Sequence, residues 1–108
     1  MSVDVTAAGC CTPTLRPEID PDGAARLAAL AKALGDPVRV QIVDVLRQHP
    51  GEVCQCELSP LFDIAQPTLS HHLRKLADAD LVTVERRGKW AYYSLDPATV
   101  EVLRSWLS

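Results

Sequence analysis

The sequence predicts a mainly α domain that carries one small β-hairpin. Three observations lead there. Apolar residues recur at helical spacing through most of the chain after residue 23. Proline follows a polar residue at Asp36-Pro37, Gln66-Pro67 and Asp96-Pro97, the signature of a helix start. Leu81–Arg86 and Trp90–Leu95 are rich in β-formers and flank an Arg87-Gly88-Lys89 turn. A chain of 108 residues makes a single domain, and with aromatics at 5% its core must be filled by Leu, Val, Ile and Ala.

Residues 1–23 are expected to form a flexible arm, because Gly9, Pro13, Pro17, Pro21 and Gly23 interrupt any regular element. The arm holds two adjacent cysteines, Cys10 and Cys11. The folded domain is expected over 24–108. Its first helix starts at Ala24 with Leu27, Leu30, Ala31 and Leu34 as the apolar stripe, and Gly35 stops it. Asp36 caps a second helix whose stripe is Val38, Ile42, Val45 and Leu46, ended by Pro50-Gly51. Glu52–Cys56 is expected to be extended. Glu57–Phe62 reads as a short third helix with Pro60 in its first turn, where proline is tolerated.

Gln66-Pro67 opens a fourth helix. Leu69, Leu73 and Leu76 face inward, while Thr68, His71, Arg74 and Lys75 lie on another face, with Gln66 and Ser70 near the start. The hairpin follows, and a last helix carries Val100, Leu103, Trp106 and Leu107. Two short helices joined by a tight turn and followed by a basic hairpin make a winged helix-turn-helix. Such a recognition helix packs one apolar face on its own domain and presents polar side chains to the major groove. Gln pairs with adenine edges, and Ser, Thr and His reach bases or phosphates. Arg86, Arg87 and Lys89 at the hairpin tip suit phosphate or the minor groove.

The formal charge of −3 looks wrong for a nucleic-acid partner until its distribution is considered. Gln66–Tyr93 holds five basic residues against three acidic ones, net +2, and the rest of the chain holds six against eleven, net −5. An acidic body with one basic segment fits a protein that touches phosphate with one face.

Four stretches carry a family resemblance: ALGDPVR (Ala33–Arg39), VCQCEL (Val53–Leu58), AQPTLSHHLRKL (Ala65–Leu76) and RRGKWAYYSL (Arg86–Leu95). Together they resemble the ArsR/SmtB family of bacterial metal-sensing repressors over residues 24–108. The resemblance implies a homodimer that binds an imperfect inverted repeat in the double-stranded DNA of an operator and leaves when metal binds. It also implies a dimer interface made by the first and last helices, here with Leu27, Leu103, Trp106 and Leu107. Ordinary packing within one protomer is the alternative for those residues.

The cysteines carry the remaining chemistry. In an extended Cys54-Gln55-Cys56 the two thiols point the same way. Thiolates select soft ions. Trivalent arsenic and antimony take three thiolates, and cadmium and lead more readily accept a fourth. Cys10 and Cys11 are expected to complete the set begun by Cys54 and Cys56, so As(III) or Sb(III) is the expected inducer, with Cd(II) or Pb(II) as the alternative. A thiol redox switch is a further alternative. C-x-C is too tight for the usual C-x₂₋₄-C structural zinc knuckle. The zinc site of the family draws on Asp and His of the last helix, and Asp96–Ser108 contains no histidine. His71 and His72, adjacent on a helix, diverge by about 100° and chelate poorly.

No enzyme signature is present: G-x-G-x-x-G, G-x-x-x-x-G-K-[ST] and H-E-x-x-H are all missing. Neither a prosthetic group nor a small-molecule substrate is expected. No apolar run is long enough to span a membrane, and no basic patch precedes an apolar run at the start, so a cytoplasmic protein with reduced thiols is expected.

Overall fold

A computed structural model describes residues 15–108. Five helices and a three-stranded antiparallel sheet follow one another as α1 (Pro21–Ala33), α2 (Pro37–Gln48), β1 (Val53–Cys54), α3 (Gln55–Leu58), α4 (Gln66–Asp78), β2 (Val82–Arg87), β3 (Trp90–Leu95) and α5 (Pro97–Leu107). A 3₁₀ turn over Ser59–Leu61 continues α3.

Helix α1 begins at Pro21, ahead of the expected Ala24. Asp20 caps it, accepting the Gly23 N–H at 2.7 Å. Pro21 and Gly23 therefore open the helix rather than break it, since a first-turn proline lacks only an N–H that the helix leaves unused. The buried stripe is Leu27, Leu30 and Ala33, whereas Ala31, expected inside, is exposed. Asp36 caps α2 as expected, accepting the Val38 N–H at 2.8 Å, and Ile42 and Leu46 are its most buried residues. Asp96 behaves differently. Its carboxylate accepts the hydroxyl of Thr99 at 2.7 Å instead of capping the backbone, and the same hydroxyl oxygen accepts from Arg26 of α1 at 3.4 Å. Thr99 is thus buried between the first and last helices, a link that the apolar pattern alone does not reveal.

The core joins these helices to the sheet through Leu58, Leu69, Leu73, Leu76, Leu81, Val82, Ala91 and Tyr93. The sheet order is β1-β3-β2, with β1 pairing Val53 to Tyr93 and Cys54 to Tyr92. The expected hairpin is present, with its second strand as expected and its first one residue later in the chain. Arg87 pairs with Trp90, leaving Gly88 and Lys89 as a two-residue turn, and Gly88 takes φ +61° as such turns require.

Helix α4 ends in a tight corner. The Leu81 N–H bonds to the carbonyl of Leu76 at 3.0 Å and the Asp80 N–H to that of Ala77 at 2.9 Å, with Asp80 itself left-handed at φ 63°. This is the Schellman arrangement, filled by an aspartate in place of the usual glycine. The corner delivers the chain directly into β2.

Candidate nucleic-acid interface and thiol pair

Helix α4 presents Gln66, Thr68, His71, Arg74 and Lys75 to solvent, while Leu69, Leu73 and Leu76 are buried against the core. The four expected side chains on one polar face, and Gln66 before them, are therefore accessible together. Ser70 is half-buried, and its hydroxyl accepts a bond from the Gln55 amide at 2.9 Å. Gln66 accepts from the Ser59 hydroxyl at 3.2 Å. The two histidines diverge as the helix dictates: His71 is exposed, His72 is buried, and their ring centroids lie 6.0 Å apart.

His72 belongs to a clasp behind the helix. The Arg39 guanidinium lies 3.3 Å from His72 Nδ1 and donates to the Ala33 carbonyl at 2.6 Å, while Asp36 lies 4.0 Å from His72 Nε2. Partial desolvation pushes the Asp36 carboxyl up. The backbone N–H groups of Val38 and Arg39 and the charges of His72 and Arg39 outweigh it, holding the group below its ordinary value. The α1–α2 corner is thereby tied to the recognition helix.

The hairpin separates the two arginines expected to act together. Arg86 and Arg87 are successive residues of β2 and face opposite sides. Arg87 packs over the Tyr92 ring, 4.5 Å from its centroid, and bonds to Glu85 at 3.0 Å and to Glu52. Its bond to Arg87, and then that to Glu52, holds the Glu85 carboxyl below the usual range, and the two carboxylates in turn push the guanidinium up. Arg87 thus spends its charge within the protein. Arg86 forms no ion pair among the described residues. It lines, with Lys89 and Trp90, a cleft of about 530 Å³ whose other wall is Gln55, Cys56, Ser59 and Gln66.

Of the two cysteines, Cys56 stands at that wall. Cys54 is buried at the end of β1 and Cys56 is exposed in the first turn of α3, so the segment is not extended throughout as the sequence suggests. Proximity has another cause. Cys54 caps α3, its Sγ accepting the Cys56 N–H at 3.2 Å and its own N–H donating to Glu57 at 2.9 Å, a capping box built on cysteine. The turn brings the two sulfurs together with Cα atoms 5.1 Å apart, and they are paired as a disulfide where the sequence predicts free thiols. Reduction leaves two adjacent thiols, fewer than the three that trivalent arsenic or antimony takes. Among the described residues no group of three metal-ligating side chains forms. Cys10 and Cys11 lie outside the described residues.

Sequence reasoning missed Gln55 and Glu52, whose partners Ser70, Tyr93 and Arg87 are distant in the chain. At the other end of the molecule Leu27 is buried in the protomer's own core at 8% exposure and Leu103 is half-buried, while Trp106 at 56% and Leu107 at 71% are open. No helix among the described residues is long and apolar enough to cross a membrane.

A polar recognition helix, a basic hairpin and a tight helical turn between α3 and α4 define a winged helix-turn-helix DNA-binding protein. Comparison with known proteins narrows this. Residues 36–84 match the family model described as bacterial regulatory protein, arsR family. The arsenical resistance operon repressor of Bacillus subtilis (strain 168) is 43% identical over 74 residues, 68% of this chain and 70% of the relative. A homologue of the cadmium resistance transcriptional regulatory protein CadC from Staphylococcus aureus is 39% identical over 77 residues, 71% of this chain and 63% of that protein. The solution structure of a homodimeric winged helix-turn-helix DNA-binding domain from Mycobacterium bovis superposes with a TM-score of 0.65 at 25% identity, covering 86% of this chain and 87% of the other. The chain belongs to the ArsR family of bacterial regulatory proteins, and it is a transcriptional repressor of that family rather than an enzyme.

Proposed function

We propose that this repressor binds an operator inverted repeat as a homodimer and releases it when trivalent arsenic or antimony binds its thiols. The observation that carries the reading is the position of Cys54 and Cys56 on the turn that opens α3: Cys54 pairs through β1 with the wing strand β3, and Cys56 lines the cleft that Arg86 and Lys89 also line. An ion captured there sits between the two parts of the DNA-binding face. The 43% identity to an arsenical resistance operon repressor supports arsenic over other thiophilic ions. Gln66, Thr68, His71 and Arg74 read the major groove in this proposal, Arg86 and Lys89 meet phosphate, and Ser70, Lys75 and Arg87 support that face. Trp106 and Leu107, with Leu103 beneath them, form the dimer contact.

Two thiols hold arsenic incompletely, so a third from Cys10 or Cys11 completes the pyramid. Arsenous acid reacts by exchange: each thiol gives its proton to a departing hydroxide, an As–S bond replaces an As–O bond, and three waters leave for three thiols. No proton is released, whereas a divalent metal displaces one proton per thiol. This difference separates the metalloid from cadmium and lead. The test is operator affinity, under reduction, titrated with arsenite, antimonite, cadmium, lead and zinc. Release by arsenite and antimonite with three As–S contacts in X-ray absorption supports the reading, and release by cadmium or lead alone overturns it.

The Cys54–Cys56 pairing favours a second reading, a thiol redox switch. Peroxide would oxidise the two thiols to the disulfide with formation of two waters. Release of DNA by peroxide and by none of the metals selects this alternative.

A further inference from the structure

We propose that Gln55 is the positioning residue through which a ligand on Cys54 and Cys56 reaches the recognition helix. The inference rests on the thiol pair being the inducer site, and adds the route by which occupancy is felt.

Gln55 lies between the two cysteines, in the turn that the Cys54 sulfur caps, so an ion that takes that sulfur away from the Cys56 N–H acts on the backbone at Gln55. Its side chain reaches two other elements. The amide nitrogen donates to the Ser70 hydroxyl of α4 at 2.9 Å, and the amide oxygen accepts from the Tyr93 hydroxyl of β3 at 3.5 Å. Both ends of one amide are thus used, one on the recognition helix and one on the wing. Ser70 stands next to His71 and one turn before Arg74, so a pull on it acts at the middle of the exposed polar face.

The surroundings leave the amide room to move. A cleft of about 530 Å³ lies beside Gln55 toward the wing tip, and another of about 320 Å³, lined by Ser70, Arg74, Arg86 and Tyr93, lies toward α4. Gln55 is therefore held by its hydrogen bonds rather than by close packing. The trigger is local. The Cys54 sulfur accepts the Cys56 N–H and so caps α3. A thiophilic ion that takes this sulfur competes with the cap, loosens the first turn and withdraws the amide from Ser70. The other bridge between the two helices, Ser59 to Gln66, starts beyond the thiols and does not share this trigger.

The test compares Gln55→Met, which keeps length and loses both hydrogen bonds, with Gln55→Glu, whose carboxylate accepts from both Ser70 and Tyr93. Full-length reduced protein is titrated with arsenite, recording thiol-bound arsenic directly, and operator affinity is measured with and without it on a duplex selected by the wild type from a random library. Coupling between sites is typically about 5- to 150-fold. The expected result is normal arsenic stoichiometry in both variants, with release reduced to less than about threefold in Gln55→Met and retained in Gln55→Glu. Equal release by Gln55→Met and wild type overturns the relay alone. Loss of arsenic binding in Gln55→Met also overturns it, since Gln55 would then act at the thiols. A wild type that keeps its operator at saturating arsenite overturns the metalloid reading and the relay with it.

Discussion

Two regions of the molecule differ in how their surface side chains are engaged, although Leu61 and Trp90 are also exposed in the first and Arg104 bonds to Glu101 in the second. Around α3, α4 and the wing, polar side chains are bonded to one another: Gln55 to Ser70 and Tyr93, Ser59 to Gln66, Arg87 to Glu52 and Glu85. At the far end, α5 leaves Trp106 and Leu107 uncovered on a helix otherwise anchored by Thr99. Directional bonds suit a region that must hold a defined shape and change it on a signal, because a hydrogen bond is either made or lost. Uncovered apolar area suits association, which is non-directional and scales with the surface removed from water. In the proposed function the first region receives the signal and the second makes the subunit contact.

The largest effect is expected from breaking the apolar end. Trp106→Asp combined with Leu107→Asp should convert a micromolar dimer to monomer in sedimentation velocity. Operator affinity should fall by about a hundredfold or more, since linked half-site binding is lost. A monomer that still binds the full operator normally contradicts the assignment. Next comes the thiol pair. Cys54→Ser or Cys56→Ser should leave operator binding intact and reduce an arsenite effect of about tenfold or more to none, in a gel-shift titration.

A finer comparison lies within the wing. Arg86→Ala should weaken DNA binding several-fold and lower the slope of log affinity against log salt by about one. Arg87→Ala should cost less at every salt concentration, because Glu52 and Glu85 already neutralise that guanidinium. Equal salt slopes for the two variants would show that Arg87 abandons its carboxylates on DNA.

The smallest effect concerns the clasp behind α4. Asp36→Ala should lower the melting temperature by a few degrees at neutral pH, through loss of the cap. The Asp36 carboxyl titrates lower in the folded state than in the unfolded chain. Its contribution is therefore complete above the ordinary carboxylate range and is lost as pH falls through the depressed value. Thermal melts of variant and wild type should converge in that acid window.

Local signals made much of this legible. Asp36-Pro37 and Gln66-Pro67 mark real helix starts, and Asp20-Pro21 carries the same signature but is masked by Gly23 and the neighbouring prolines. The polar face of α4 follows from helical period alone. Of the stretch Glu52–Cys56 expected to be extended, only Val53 and Cys54 form a strand, because Tyr93 and Tyr92 are there to pair with those two. The proximity of Cys54 and Cys56 was predictable, though its cause is a cysteine-capped turn and not an extended strand. The separation of Arg86 from Arg87 depends on the hairpin register, and the roles of Gln55 and Glu52 depend on partners that only folding brings near.

The corner after α4 adds a mechanical consequence. With Asp80 left-handed and the carbonyls of Leu76 and Ala77 both engaged, the recognition helix runs into β2 through a short hydrogen-bonded corner. In the proposed function, a helix and hairpin that move as one body about Asp80 carry the groove contact at His71 and the phosphate contact at Lys89 together. A rotation of the helix out of the major groove then sweeps the hairpin tip along the duplex, and no second signal is needed to free the wing.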